Sequence, residues 1–245
     1  MQKKNIALIF AGGTGQRMNS RGKPKQFLEL HGKPIIIYTL EWFEKHKDID
    51  YIVISCLESW IDYLEELVQR YHLNKVKWIV KGGTTSQESI FNGLDIINKE
   101  FSEREDTVVL IHDGVRPLIN EELISKNIEA VKEYGSAITV TYAKETVIEV
   151  ASEEKWIENV CDRQRCRIAK APQSFYLKDI YEAHLKAKND GKNYFIDSAD
   201  LMRYYGYPLY SIEGPNENIK ITTPVDFYIF KAVCDARESS QILGL

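Results

Sequence analysis

Four short apolar segments, each followed by a stretch with helical periodicity, constrain the fold of this chain most strongly. The predicted strands are 5–10, 51–55, 76–80 and 107–112, and the predicted helices are 35–47, 59–71, 86–98 and 120–134. Short apolar strands that alternate with helices form βαβ units with right-handed crossovers, and helices cover both faces of their sheet. The sequence therefore predicts an α/β fold with a Rossmann-like, mostly parallel sheet and helices on both faces.

The pattern changes near residue 137, where β-like segments follow one another without a helix between them. These segments are 137–142, 146–150, 156–161 and 166–170; helices at 177–188 and 198–205, a strand at 209–212 and a closing helix at 224–237 come after them. Successive short strands joined by polar turns are typical of antiparallel pairing. We expect residues 1–245 to form a single domain, with a small antiparallel β-arm inserted at about 142–171.

Composition limits the classes of partner. A net charge of −4 and a pI near 5.8 argue against tight binding to nucleic acid, which requires many phosphate contacts. No apolar stretch approaches the ~20 residues that span a bilayer, and the short first strand lacks the features of a secretion signal. The four scattered cysteines do not form a metal-binding pattern. We expect a cytoplasmic protein with free thiols and no membrane partner.

The glycine-rich loop after the first strand is the clearest candidate for a phosphate site, because glycines let backbone N–H groups approach an anion closely. Met18 stands six positions after Gly12, where a Walker A loop requires lysine. The spacing of Gly13 and Gly15 begins a dinucleotide fingerprint, but Met18 replaces its third glycine. Both the P-loop NTPase and the nicotinamide-enzyme interpretations therefore lose most of their support.

Four cations follow these glycines within nine residues: Arg17, Arg21, Lys23 and Lys25. Arginine makes two-pronged contacts with phosphate, and lysine supplies a compact charge. A solvated basic loop is the alternative interpretation. The shared position of glycines and cations at the carboxyl end of a strand favours a phosphate site, because ligands of such sheets bind at that edge.

Three further residues are candidates for substrate binding or catalysis. Asp113 follows the fourth strand, with Arg116 close behind, and could hold a ribose hydroxyl, a substrate hydroxyl or a phosphate-bound metal; a turn-forming aspartate is the alternative. His112 is more typical of a packed strand residue than of a base. Arg163 lies in an arginine-rich turn of the arm that could bind a second phosphate. An ordinary polar turn is the alternative interpretation. Lys220 either extends from a strand edge to solvent or reaches a phosphate from the far side of the site.

Five motifs in series resemble the cytidylyltransferases that act on polyol phosphates. They are AGGTGQRM with KPKQF, the double glycine at 82–83 with Ser89, HDGVRP at 112–117, APQSF at 171–175 and NIKITTP at 218–224. The family includes the 2-C-methyl-D-erythritol 4-phosphate enzymes of isoprenoid synthesis and the ribitol-5-phosphate enzymes of teichoic acid and capsule synthesis. The resemblance covers nearly the whole chain in the family's order and implies a nucleotide-diphospho-sugar transferase type of fold.

The resemblance implies that CTP and a sugar-alcohol phosphate react to give a CDP-alcohol and pyrophosphate, with Mg²⁺ held mainly by the nucleotide phosphates and Asp113 as a possible ligand. It assigns catalysis to Arg17, Lys25 and Lys220. It assigns nucleotide binding to Ala11, Gly12, Gly13, Thr14, Gly15, Gly83, Thr84, Ser89 and Gly114, and substrate binding to Asp113, Arg116, Thr146 and Arg163. In the family, arms reach the active site of the other subunit, which implies a homodimer with exchanged arms.

Two departures from the family pattern affect the choice of substrate. Ala171 stands where the family usually has threonine before Pro-Gln, and residues 195–199 (FIDSA) alter an ITDEA-like segment. We favour ribitol 5-phosphate, because the AGG, PKQFLELHGKPI and PQSF segments resemble that branch. The methylerythritol enzyme is the alternative. A catalytically silent nucleotide-binding subunit is less consistent with the presence of Arg17, Lys25, Asp113 and Lys220. The failed dinucleotide fingerprint and the lack of a suitably placed nucleophile or hydride-site histidine argue against a Rossmann dehydrogenase.

Overall fold

The computed structural model describes residues 3–13, 22–151 and 156–243. A seven-stranded sheet, ordered β11-β7-β10-β6-β1-β4-β5, forms its centre. The strands are β1 (Asn5–Ala11), β2 (Glu29–Leu30), β3 (Lys33–Pro34), β4 (Tyr51–Cys56), β5 (Val76–Lys81), β6 (Val108–Asp113), β7 (Ser136–Tyr142), β8 (Ile148–Val150), β9 (Ile157–Val160), β10 (Arg167–Tyr176) and β11 (Ser211–Glu213). The helices are α1 (Ile35–Lys45), α2 (Ile61–Arg70), α3 (Ser86–Glu100), α4 (Glu121–Tyr134), α5 (Leu177–Asn189), α6 (Ser198–Tyr204) and α7 (Pro224–Leu243).

The central sheet is mostly parallel, as the alternation of strands and helices predicted. β1 pairs in parallel with both β4 and β6, β4 pairs in parallel with β5, and β7 pairs in parallel with β11. Every residue of β6 is buried, which explains why that strand is a continuous apolar run apart from its last two residues. The predicted Rossmann-like sheet is confirmed.

Helices cover both faces of this sheet. One core contains Leu40 of α1, Leu64 of α2 and Ile124 of α4, while the opposite core contains Leu94 of α3 and Ile180 of α5. Each of these side chains is fully buried. Because helices pack their apolar stripes against both faces, the sheet is shielded from water on both sides.

The predicted strand at 166–170 ends too early. β10 continues to Tyr176, and its second half is a central strand that pairs antiparallel with β6 and β7. Pro172 concealed this half of the strand, because proline lacks the N–H that a central strand normally donates. The register shifts between Ala169 and Gln173, and Pro172 lies in this irregular stretch, where such a residue is tolerated. Segment 137–142 likewise belongs to the central sheet, as β7.

The predicted β-arm contains a two-stranded antiparallel sheet of β8 and β9, with Ile148 opposite Val160. Its first strand begins at Ile148, two residues later than predicted. All residues of β8 and β9 are exposed, including the large apolar ones. Within the described residues, no helix combines the length and apolar character needed to cross a bilayer.

Candidate active site

The centre of the candidate site is Asp113, the last residue of β6, held between two cations. The Lys220 ammonium lies 2.6 Å from Asp113 Oδ1, and Arg116 Nε lies 2.7 Å from Asp113 Oδ2. Arg116 Nη1 also donates to the carbonyl of Asn218, at 3.1 Å, which links the loop after β6 to the segment that carries Lys220. Two parts of the chain more than 100 residues apart are therefore joined at one carboxylate.

The charges around Asp113 fix its ionisation state. Burial alone would raise the pKa of this carboxyl, whose side chain is only 8% exposed. The positive charges of Lys220 and Arg116, with their hydrogen bonds, outweigh burial and hold the pKa of Asp113 below its ordinary value of 3.8. The side chain is an anion at neutral pH, and it fixes the positions of both cations.

Two adjacent cavities open at this edge of the sheet and share Phe10, Ser86, Asp113 and Lys220 in their walls. We name the larger one, of about 380 Å³, the glycine-loop cavity. Its lining includes nine residues singled out from the sequence: Ala11, Gly12, Gly13, Gly83, Thr84 and Ser89, with Lys25, Asp113 and Lys220. The short 3-10 helix that carries Lys25 is tied to β1, because Gln26 Nε2 donates to the Ala11 carbonyl at 2.7 Å.

Ser89 organises the far wall of the glycine-loop cavity. Its hydroxyl accepts from the Gly83 N–H at 3.0 Å and donates to the Thr85 carbonyl at 2.9 Å. A Cβ atom on Gly12 would lie 2.8 Å from Ser89 Oγ, so glycine is required for this close approach. The side chain of Thr85 caps α3 by accepting from the Glu88 N–H at 3.1 Å. The N-terminus of α3 therefore forms one end of the cavity.

The second cavity, which we name the β10 cavity, has a volume of about 240 Å³. It extends from the shared wall toward β10 and the start of α6, and its lining includes Lys170, Ala171, Gln173, Asp197 and Ser198. Gln173 Nε2 donates to Asp197 Oδ2 at 2.8 Å, while Gln173 Oε1 accepts from the Ala199 N–H at 2.9 Å. These two bonds join the APQSF and FIDSA segments in one wall.

Comparison with known proteins decides what kind of site this is. The family model described as 2-C-methyl-D-erythritol 4-phosphate cytidylyltransferase matches residues 5–235 of the chain. The chain belongs to this family. It is 55% identical to a ribitol-5-phosphate cytidylyltransferase of Vibrio parahaemolyticus serotype O3:K6, over 98% of the chain and 100% of the relative.

Two other members of the cytidylyltransferase family show how far the likeness extends. A 2-C-methyl-D-erythritol 4-phosphate cytidylyltransferase of Clostridium botulinum is 36% identical, over 95% of this chain and 98% of that protein. The crystal structure of the 4-diphosphocytidyl-2C-methyl-D-erythritol synthase of Anaerococcus prevotii has a TM-score of 0.81 at 27% identity, and the match covers 95% of this chain and 96% of that one. The fold implied by the motifs is therefore confirmed.

Not every residue that the family resemblance singled out lines the two cavities. Thr14, Gly15 and Arg17 lie outside the described residues. Gly114 is buried instead of lining a cavity: a Cβ there would lie 3.1 Å from the Cβ of Ala11, so this glycine serves close packing. Thr146 and Arg163 are exposed on the arm, where Arg163 Nη1 donates to the Lys144 carbonyl at 3.3 Å.

Other cavity residues of this cytidylyltransferase were not singled out from the sequence. Lys170, Gln173 and Asp197 line the β10 cavity. Gln173 and Asp197 lie within the APQSF and FIDSA segments, and Lys170 directly precedes APQSF, but none of the three was named as a site residue. Lys170 lies in a segment predicted to be part of the arm. Gln173 and Asp197 are 24 residues apart, and only their hydrogen bond reveals that they form one wall.

The two buried histidines near the site are neutral. His112 packs against Phe43 and shares a hydrogen bond with the Arg116 carbonyl, while burial lowers its pKa to about 4. His184 lines the β10 cavity and packs on Phe91, and burial lowers its pKa to about 4 as well. The prediction that His112 is a packed strand residue agrees with this environment.

Proposed function

We propose that this chain transfers the cytidylyl group of CTP to ribitol 5-phosphate, giving CDP-ribitol and pyrophosphate. The observation that carries the proposal is the wall shared by the two cavities, where Asp113 holds Lys220 and Arg116 at the boundary between them. A transferase with two substrates requires adjoining sites with positive charge at the point of transfer. The 55% identity to a ribitol-5-phosphate cytidylyltransferase supports the choice of this substrate.

CTP is assigned to the glycine-loop cavity. Backbone groups of residues 11–15, with Gly114 nearby, approach the nucleotide, while Gly83, Thr84 and Ser89 hold its ribose and cytosine. Arg17 and Lys25 bind the triphosphate. The glycines in the lining support this assignment, because without side chains they let the backbone approach a phosphate closely. The N-terminus of α3, at the same cavity, adds a favourable field for an anion.

Transfer is an in-line displacement at the α-phosphorus. An oxygen of the polyol phosphate forms a bond to the α-phosphorus, the bond from that phosphorus to the bridging oxygen breaks, and pyrophosphate leaves with the bonding electrons. A phosphate oxygen is already ionised at neutral pH, so no general base is required. Lys220, together with Arg17 and Lys25, stabilises negative charge that develops during the displacement.

Asp113 contributes by positioning Lys220 and Arg116, which face the polyol phosphate. Mg²⁺ is assigned to the nucleotide phosphates. Among residues 3–13, 22–151 and 156–243, no group of three or more His, Cys, Asp or Glu side chains could hold a metal ion. Both Asp113 oxygens already accept from cations, which would repel a divalent ion, so Asp113 fits poorly as its ligand. We assign no step of the reaction to the metal.

The arm is assigned to the active site of a second copy of the chain. Thr146 and Arg163 are exposed and line neither cavity, which is consistent with a role in the partner's site. Exposed Trp156, Ile157 and Val160 on the same arm supply apolar surface that a homodimer would bury. We further propose that the enzyme acts in the cytoplasm and that its product serves teichoic acid or capsule synthesis.

The proposal is tested by measuring pyrophosphate release with CTP, UTP and GTP, each paired with ribitol 5-phosphate and with 2-C-methyl-D-erythritol 4-phosphate. We expect turnover with CTP and ribitol 5-phosphate, and much slower turnover with the other pairs. Turnover with the methylerythritol substrate alone would establish the second candidate function, which the family description and the Clostridium relative favour. No turnover with any pair would favour a silent nucleotide-binding subunit.

A further inference from the structure

Lys170 is a cavity-lining cation that the roles assigned above leave unused. It lies in the irregular stretch of β10, where the register shifts between Ala169 and Gln173. Such irregularities redirect side chains, and here Lys170 contributes to the lining of the β10 cavity, as does Arg116. Its ammonium donates to the Asn216 carbonyl at 2.9 Å, which holds the half-buried side chain in place.

The β10 cavity has an excess of positive charge. Its lining carries three cations, Arg116, Lys170 and Lys220, but only two carboxylates, Asp113 and Asp197. Asp113 is paired with Arg116 and Lys220, and Asp197 accepts from Gln173 and from the backbone at the start of α6. Among the described residues, no carboxylate lies within ion-pair distance of Lys170. Glu217 attracts Lys170 from beyond that distance and is itself paired with Arg237 at 3.7 Å, so no ion pair within the described part of the chain balances the Lys170 charge.

The surroundings of Lys170 are unfavourable for an isolated ammonium. Burial lowers the pKa of Lys170, and the nearby charge of Arg116 lowers it further. Arg116 uses Nε for Asp113 and Nη1 for the Asn218 carbonyl, and makes no hydrogen bond from Nη2 to a described residue. Both side chains retain N–H donors. An anion bound between them would accept hydrogen bonds from those donors and would offset the repulsion between the two cations.

We infer that Lys170 and Arg116 together bind the phosphate group of the polyol phosphate, so that each chain supplies part of this phosphate site from its own β10 strand. The inference rests on the proposed function. A neutral hydroxyl of the polyol could also accept a hydrogen bond from Lys170, but it would leave the positive charge of Lys170 unbalanced. A phosphate dianion would balance the positive charge and would accept hydrogen bonds from both side chains, so we favour it.

The test compares Lys170→Met, which removes the charge at similar length, with Lys170→Arg, which keeps it. The exposed Lys132→Met on α4 is the matched control. We expect Lys170→Met to raise the KM for ribitol 5-phosphate by at least ~10-fold, since a charge-assisted hydrogen bond is lost, while the KM for CTP changes less than ~2-fold. Lys170→Arg should recover most of the loss, and Lys132→Met should match the wild type.

Inhibition constants distinguish phosphate binding from hydroxyl binding. In Lys170→Met, the inhibition constant of inorganic phosphate against ribitol 5-phosphate should rise by a similar factor, whereas that of unphosphorylated ribitol should not change. A rise for ribitol alone would overturn the phosphate assignment. An unchanged KM for ribitol 5-phosphate in Lys170→Met, beside an active wild type, would overturn the inference and leave the proposed function standing. A wild type that turns over no polyol phosphate would overturn both.

Discussion

Lys220 has two roles that single substitutions can separate: it is an ion-pair partner of buried Asp113 and, in the proposed mechanism, a source of positive charge at the reacting phosphorus. Lys220→Met should lower kcat by about 10²- to 10³-fold, the cost of removing one preorganised electrostatic group. Steady-state kinetics on folded protein checks this. Lys231→Met removes a lysine ion-paired with Asp235 on exposed α7 and should keep wild-type kcat. A Lys220→Met enzyme with near-normal kcat would remove Lys220 from the mechanism.

His184 gives a prediction about stability and pH. Burial lowers its pKa from 6.5 to about 4, so below pH 6.5 the unfolded chain binds a proton that the native state does not. The free energy of unfolding should therefore decrease as the pH falls from 7.5 to 5, by about 2 kcal/mol from this residue. Denaturant unfolding at pH 7.5 and at pH 5 measures the two free energies of unfolding. In His184→Gln the difference between them should be smaller than in the wild type by about 2 kcal/mol. The exposed His72→Asn variant should retain the wild-type difference; equal pH dependence in wild type and His184→Gln would contradict the prediction.

Sequence motifs located cavity-lining residues where the residue type and its place in the fold agree. Asp113, Ser89 and Lys220 were identified because each belongs to a motif at the carboxyl edge of the sheet, and all three line the glycine-loop cavity. Gly114 lines neither cavity and packs closely against Ala11; a glycine needed for packing has the same sequence signature as one that approaches a ligand. Lys170 was not singled out, because a lone lysine within a predicted exposed arm carries no sequence signal of partial burial.

At the scale of elements, the contact between α3 and β1 fixes the wall that Ser89 occupies. A Cβ on Gly93 of α3 would lie 2.2 Å from Cδ1 of fully buried Leu8. Gly93→Ala should lower the free energy of unfolding by about 1–2 kcal/mol, because the overpacking exceeds the gain in helix propensity. Urea denaturation measures this change. Gly13→Ala is the control, since a Cβ there meets no atom of a described residue within 4 Å. A Gly93→Ala variant that is more stable than the wild type would contradict the prediction and would show that Leu8 can move to accommodate the added methyl group.

The elements themselves could be predicted to different extents. The four predicted βαβ strands and their helices have regular apolar periodicity, and each appears with shifts of a few residues. β10 could not be predicted in full, since Pro172 interrupts its pattern and its partners β6 and β7 are distant in sequence. The β10 cavity depends on this strand, so its residues could not be assembled without the three-dimensional structure.

At the scale of the whole molecule, the proposed exchange of arms predicts complementation between inactive variants. Arg163→Ala and Lys220→Met homodimers should each be nearly inactive. A heterodimer of the two, purified through two different affinity tags, has one site with both residues intact if Arg163 acts in the partner's site, and should regain about half the wild-type activity. A heterodimer as inactive as its parents, or a monomer in sedimentation experiments, would contradict the exchange.

The central claim is that the two cavities hold the two halves of the product, with Asp113 and Lys220 between them. A crystal structure of the complex with CDP-ribitol tests this claim most directly. We predict cytidine in the glycine-loop cavity beside Gly83 and Ser89, the diphosphate at Lys220, and ribitol in the β10 cavity. A product whose ribitol lies outside the β10 cavity, or whose diphosphate does not contact Lys220, would contradict the account.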